Sequence, residues 1–225
     1  MDFDLLIEKV DVLFSKVKLG KDQAYVVMKF STLPPELAEE LRNNPEEFFK
    51  VLKLQVRKRL GLKKNIEVMF SHLPKSYQAK IEDISAHLLG KFIQVKGKIQ
   101  TKTAIITKIK KAKYECPSCG NSLQVMLGEK NTKPTRCGCG RKGHFMEVSR
   151  TYEDHFELMV EEDGYLLRVI VGEPFLNPEF KPMFKKNNKL IISGYIIAIP
   201  KKLPRGSEST EVEKVLIANN VEKVR

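Results

Sequence analysis

The residues best equipped for chemistry in this chain are its four cysteines, and they stand in one short window. Cys116-Pro-Ser-Cys119-Gly120 is followed by Cys137-Gly-Cys139-Gly140, with seventeen residues between Cys119 and Cys137. Two close pairs of thiols are a metal-binding pattern, because each pair brings two thiolates to one ion at about 2.3 Å. The first turn aims both sulfurs inward, and Gly120 takes the strained backbone position after the second ligand. The second pair is one residue shorter than usual, and Gly138 and Gly140 supply the freedom it needs. The stretch between is long enough for a hairpin, so the whole reads as a zinc ribbon. Four thiolates fill a tetrahedron and leave no position for a reactive water, which makes the expected Zn2+ structural, one per chain. The alternatives are a disulfide framework, which cytosolic chains disfavour, and His144 replacing Cys137 or Cys139.

Other chemistry is not indicated. A phosphate loop needs G-x4-G-K-[ST]. GKFIQVKGKI at 90–99 has its glycines too far apart, and Ile99 stands where a hydroxyl is required. There is no G-x-S-x-G and no H-E-x-x-H. Asp154-His155 has no nucleophile placed by any motif, and His72 and His87 have no metal spacing. The expectation is a chain that is not itself an enzyme.

The charge is the second signal. The formal net charge is +12 and the pI about 9.4. Residues 98–113 hold Lys98, Lys102, Lys108, Lys110, Lys111 and Lys113 and no acid, and residues 180–207 hold Lys181, Lys185, Lys186, Lys189, Lys201, Lys202 and Arg205 and no acid. Clustered cations without carboxylates suit a phosphate backbone. The competing explanation is a solvated lysine-rich surface. No apolar run reaches membrane-spanning length, and the acid-bearing N-terminus MDFDLLIEKV is not a secretory signal. A cytoplasmic, nucleoid-associated protein without a membrane partner is expected.

The elements that would position these groups fall into two textures. Phe3, Leu5, Leu6, Val10, Leu13, Phe14 and Val17 recur at helical spacing, with Gly20 as the stop. PELAEELRN and NPEEFFKVLKLQVRKRL each begin with proline and early acids, and Gly61 closes the second. AYVVMKF and IEVMF read as short strands. From residue 87 the chain turns β-rich, with Gly97 and Gly194 inside alternating runs, and about five strands point to a small barrel. Strands both precede and follow the cysteines, so the cysteine window is an insertion within the β-domain. The division expected is a helical subdomain at 1–86, a barrel from 87–113 and 147–225, and an inserted ribbon at 114–146. The fold class is α+β.

This layout resembles the N-terminal domain of archaeal minichromosome maintenance (MCM) replicative helicases. The most specific likeness is HLLGKFIQVKGKIQTKTAIITKIKKAKYECPSCG at 87–120; LAEELRNNPEEFFKVL, NNKLIISGYIIAI and LIANNVEKV are similar to further segments of that family. The resemblance implies that the barrel is of the oligonucleotide/oligosaccharide-binding (OB) type. It implies a homo-oligomeric ring, a hexamer or double hexamer, encircling single- or double-stranded DNA, with the ribbons meeting head to head. It also implies a basic hairpin reaching into the channel, here IIAIPKKLPRGSESTEVEKVLIA, with Lys201, Lys202 and Arg205 at the tip. An acid-free cationic tip between apolar strands suits phosphate contact on its own terms. Lys98, Lys102, Lys108 and Lys110 complete the expected DNA-binding set. Three features depart from the family: Thr101 and Lys102 stand where arginine is usual, the strand before Asp163-Gly164 turns back at once, and no ATPase tier is present. The alternative is a stand-alone zinc-containing single-stranded nucleic-acid binder, stacking bases on Phe92, Tyr114, Tyr165 or Tyr195. A zinc-scaffolded protein adaptor is a third reading.

Overall fold

The structure, a computed structural model, describes residues 3–15, 25–60, 66–126, 133–202 and 208–224. The expected helix stops Gly20 and Gly61 lie outside them. The chain divides into two compact units, 1–104 with 156–225, and 105–155.

In the first unit, three helices precede the sheet: α1 (Phe3–Ser15), α2 (Pro35–Asn43) and α3 (Pro45–Leu60). Their starts follow from local chemistry. Pro35 opens α2 where its missing N–H costs nothing, and Glu36 lies in the positive first turn. Asn44 ends α2 by donating its N–H to Glu40 O at 2.8 Å, and Pro45 starts α3 at once, with Glu46 and Glu47 following. Leu6, Val10 and Leu13 of α1, Leu37 and Leu41 of α2, and Phe48, Val51, Leu52 and Val56 of α3 are all buried. These are the three- and four-residue spacings that place one face of each helix against a shared core. Two strands, β1 (Tyr25–Lys29) and β2 (Glu67–Ser71), pair in parallel beside them. Phe70 of β2 and Phe92 of the next strand extend this core toward the sheet.

The rest of the first unit is a mixed sheet. Its strands are β3 (Phe92–Lys102), residues 156–162 of β6 (Met146–Glu162), β7 (Tyr165–Val171), β8 (Lys189–Lys202) and β9 (Glu208–Lys223). β3 pairs antiparallel with β8 and with β6; β6 and β7 form a hairpin; β7 pairs in parallel with β9; β8 and β9 are antiparallel. The hairpin turns on Asp163 (φ 51°) and Gly164 (φ 89°), the two-residue left-handed turn that Asp-Gly favours. Ile93, Val95, Ile99, Leu158, Val160, Val169, Ile192 and Leu216 fill the inner face. Glycine is required where strands press together: a Cβ on Gly97 would lie 2.4 Å from Val160 Cγ1, and one on Gly194 would lie 2.0 Å from Ile217 O.

A side-chain clasp joins β2 to β9. The register of β8 and β9 shifts between Ser193 and Gly194, opposite Asn220 and Ala218. Asn219, at that shift, accepts from Phe70 N at 3.1 Å and donates to Val68 O at 2.8 Å, so its amide imitates a strand neighbour. Asn220 donates to Phe70 O at 3.0 Å.

The second unit is small. β4 (Ile106–Glu115) is flanked by β5 (Ser122–Met126) and by the first ten residues of β6. It extends beyond the 114–146 cysteine window at both ends. Among its described residues, the buried apolar side chains are Ala112, Tyr114 and two of the cysteines. So thin a core requires a cross-link of some kind to hold the loops. Among the described residues of the chain, no helix is long and apolar enough to cross a membrane.

Candidate metal centre and nucleic-acid interface

Two loops of the second unit bring the cysteines together. In the first, Gly120 N donates to Cys116 O at 2.8 Å and Cys116 N donates to Asn121 O at 2.9 Å. In the second, Gly140 N donates to Cys137 O at 3.0 Å and Cys137 N donates to Arg141 O at 2.9 Å. Each loop is a tight turn closed by a glycine at positive φ, 71° at Gly120 and 92° at Gly140. The shorter spacing of the second pair is accommodated in this way.

All four Sγ atoms lie within 4.8 Å of one another. Cys116 and Cys139 sulfurs are 3.7 Å apart, and Cys119 and Cys137 sulfurs 3.6 Å. A tetrahedron with metal–sulfur bonds of about 2.3 Å has edges of about 3.8 Å, so these separations fit a four-thiolate metal site. They are too long for disulfide bonds, and all four cysteines are free. His144, at φ 48° in the following turn, is not among the converging ligands. Cys116 and Cys137 are buried, and Cys119 and Cys139 exposed. Burial pushes the Cys116 thiol up, but the N–H groups of Ser118 and Cys119 and the adjacent thiols outweigh it and hold it at about 7. At Cys119 the Asn121 N–H acts downward, yet the Cys139, Cys137 and Cys116 sulfurs crowd it up to about 12. Thiols this close cannot all ionise without a cation among them. Arg141 lies across both loops and donates from Nη1 to Ser118 Oγ at 2.8 Å.

The cations are differently placed from what their linear clustering implies. Acids absent from the two basic stretches are supplied across strands. Lys110 on β4 binds Glu153 on β6 at 2.5 Å, and Lys108 stands opposite Glu153 in the same ladder. Lys201 on β8 binds Glu211 on β9 at 2.8 Å, and that bond raises its pKa. Lys98 is half-buried and stands opposite Glu161. Lys102 has no carboxylate partner among the described residues; its Nζ lies 4.1 Å from the centre of the Phe156 ring and 5.3 Å from that of Phe184. The backbone of Lys202 pairs with Glu208, but its side chain, and all of Arg205, lie outside the described residues. Lys108 and Lys110 belong to the cysteine unit, and Lys98, Lys102 and Lys201 to the other. The acid-free run is therefore a property of the linear sequence; in space, Glu211 stands beside Lys201.

Of the candidate stacking residues, Phe92 and Tyr114 are buried and Tyr195 is packed against the helical core, while Tyr165 is exposed. Arg168 carries no signal in the sequence. It lies 3.6 Å from Glu157 and 3.2 Å from Glu213, carboxylates contributed by two neighbouring strands, and no local motif announces it.

Residues 80–164 match the family described as the MCM OB domain. The chain is 27% identical over 189 residues to an uncharacterised MCM-type protein of Methanocaldococcus jannaschii, an alignment covering 77% of this chain. The whole chain also superposes on a crystal structure of the N-terminal domain of an archaeal MCM, with a TM-score of 0.80 at 18% identity and full coverage of both. This chain has the fold of an archaeal MCM N-terminal domain. It spans 27% of the length of the M. jannaschii relative. The MCM OB match covers β3, β4, β5 and β6, so it includes both cysteine loops.

Proposed function

We propose that this MCM-type domain is the DNA-binding, ring-forming N-terminal region of a replicative DNA helicase. The observation that carries the reading is the MCM OB match over 80–164, lying in the same chain as the long β8–β9 hairpin that bears Lys201 and Lys202. The circuit of pairings β3–β8–β9–β7–β6–β3 supports a closed OB barrel. On this reading the chain comprises a helical subdomain at 1–86, the barrel at 87–113 with 147–225, and the ribbon at 114–146. Cys116, Cys119, Cys137 and Cys139 hold one structural Zn2+ per chain, which replaces the missing apolar core of the loops. The ion supplies a rigid cross-link and no reaction step.

The barrels assemble as a hexamer, or as a double hexamer joined through the ribbons, around single- or double-stranded DNA. Lys201, Lys202 and Arg205 on the hairpin, with Lys98, Lys102, Lys108 and Lys110, neutralise phosphates and release counterions. Lysines give charge without the bidentate geometry of arginine, so contact is with the backbone and independent of sequence. The chain contributes DNA binding and assembly, and ATP hydrolysis belongs to other regions of such helicases. The domain acts where the DNA is, in the cytoplasm at the nucleoid.

The test is fluorescence anisotropy with labelled DNA across a salt series. Affinity should fall steeply as salt rises, and reversing Lys201, Lys202 and Arg205 together should weaken it without lowering the melting temperature. Affinity that stays flat with salt, or an unchanged triple variant, would overturn the assignment of the hairpin to phosphate.

A further inference from the structure

Arg141 connects the two cysteine loops from outside the ligand set. Its backbone belongs to the second loop. Gly143 N donates to Thr135 O at 3.1 Å, Arg136 bridges to Lys142, and Cys137 N donates to Arg141 O at 2.9 Å. These bonds make a small hairpin in which Arg141 lies across from Cys137. The far end of its side chain belongs to the first loop, where Nη1 donates to Ser118 Oγ at 2.8 Å. Ser118 stands between Cys116 and Cys119 in the chain. The side chain therefore spans from one ligand pair to the other, beside sulfurs that all lie within 4.8 Å of one another.

Two features set this contact apart from a surface tie. Arg141 Nε is buried and has no hydrogen-bond partner among the described residues. Among those residues, the carboxylates in arginine pairs are taken by other arginines: Glu147 holds Arg150, and Glu157 and Glu213 hold Arg168. A half-buried cation with a buried, unanswered N–H calls for an anion. The filled metal site is such an anion, because four thiolates around one divalent ion leave a net negative charge. Hydrogen bonds from a cation to an ionised acceptor are the strong ones. The planar guanidinium can donate to Ser118 from Nη1 and keep its Nε edge for another acceptor.

We propose that Arg141 is the positioning residue of the four-thiolate metal centre: its guanidinium ties the Cys137–Cys139 loop to the Cys116–Cys119 loop through Ser118 and offsets the negative charge of the filled site. The role rests on the metal-binding reading and adds a residue to it that is not a ligand. Groups that orient and balance metal ligands in this way set affinity as well as shape.

The experiment is competition for zinc between the full chain and a fluorescent chelator, comparing wild type, Arg141→Gln, Arg141→Lys and Ser118→Ala. Arg141→Gln should bind zinc about tenfold to a hundredfold more weakly. Arg141→Lys keeps the charge and should recover most of that loss. Ser118→Ala removes the tie alone and should cost about twofold to tenfold. Cobalt(II) is the second probe. At saturation every variant should show the ligand-field and charge-transfer bands of a four-thiolate site, so that affinity falls while the ligand set stays whole. Wild-type zinc affinity in Arg141→Gln, or Arg141→Lys binding no tighter than Arg141→Gln, would overturn the role of Arg141 and leave the metal site standing. Loss of the four-thiolate cobalt spectrum in Arg141→Gln at saturation would overturn it too, by making the residue a requirement for ligation rather than a balance of charge. A wild-type chain that binds neither zinc nor cobalt would overturn both the role and the metal reading.

Discussion

Replacing Cys116 by serine should release the metal and unfold the cysteine loops while the first unit stays folded. The magnitude follows from how little else holds the loops. Among described residues of the second unit, Tyr114 and Ala112 are the buried apolar side chains besides cysteine. Burying a side chain the size of Tyr114 contributes about 2 kcal/mol. Ordering the backbone of a single residue costs about 1–2 kcal/mol, so this apolar burial compensates for one or two residues and not for two loops. Structural zinc sites supply about 10–16 kcal/mol in small domains, and a serine hydroxyl in place of a buried thiolate forfeits most of that. The assay is zinc content by chromogenic chelation, alongside amide exchange. The amides of Cys116, Gly120, Cys137 and Gly140, all bonded in the intact loops, should exchange near their unprotected rates. Those of Ile99 and Ile196, bonded within the first unit, should stay protected. A Cys116→Ser protein with one zinc per chain, or metal-stripped wild type with protected loop amides, would refute the reasoning.

Three further outcomes are expected. Glu211→Gln should free Lys201 and raise DNA affinity about twofold to fivefold with a steeper salt slope, since an exposed, solvent-screened pair of this kind holds its lysine only weakly; anisotropy checks it, and unchanged binding would mean that Lys201 does not meet phosphate. Gly194→Ala should lower stability by about 2–4 kcal/mol in denaturant titration, because its Cβ would lie 2.0 Å from Ile217 O, a backbone atom that cannot swing aside. Asn219→Ala should cost about 1–3 kcal/mol and accelerate exchange at Phe70 N, which loses its acceptor; full protection there would show that the clasp is dispensable.

What the sequence made legible was local. The cysteine tetrad could be read because metal ligands come in short turns whose spacing is fixed by one ion. α2 and α3 could be read because proline and early acids mark helix starts within a few residues. Asp163-Gly164 could be read because few other dipeptides adopt that turn. What escaped depends on partners distant along the chain. The parallel pairing of β1 with β2 joins strands separated by two helices. Glu153 and Glu211 neutralise lysines from strands whose register no local pattern specifies. The Asn219 clasp looks like an ordinary Asn-Asn pair until the register shift of β9 turns it toward β2.

The most direct test of the central claim is light scattering on a sizing column, with zinc retained and with DNA present and absent. The account predicts the mass of a hexamer or double hexamer, and DNA that elutes with it at low salt and separates as salt is raised. A monomer that binds DNA one to one, or no binding at any salt, would contradict it.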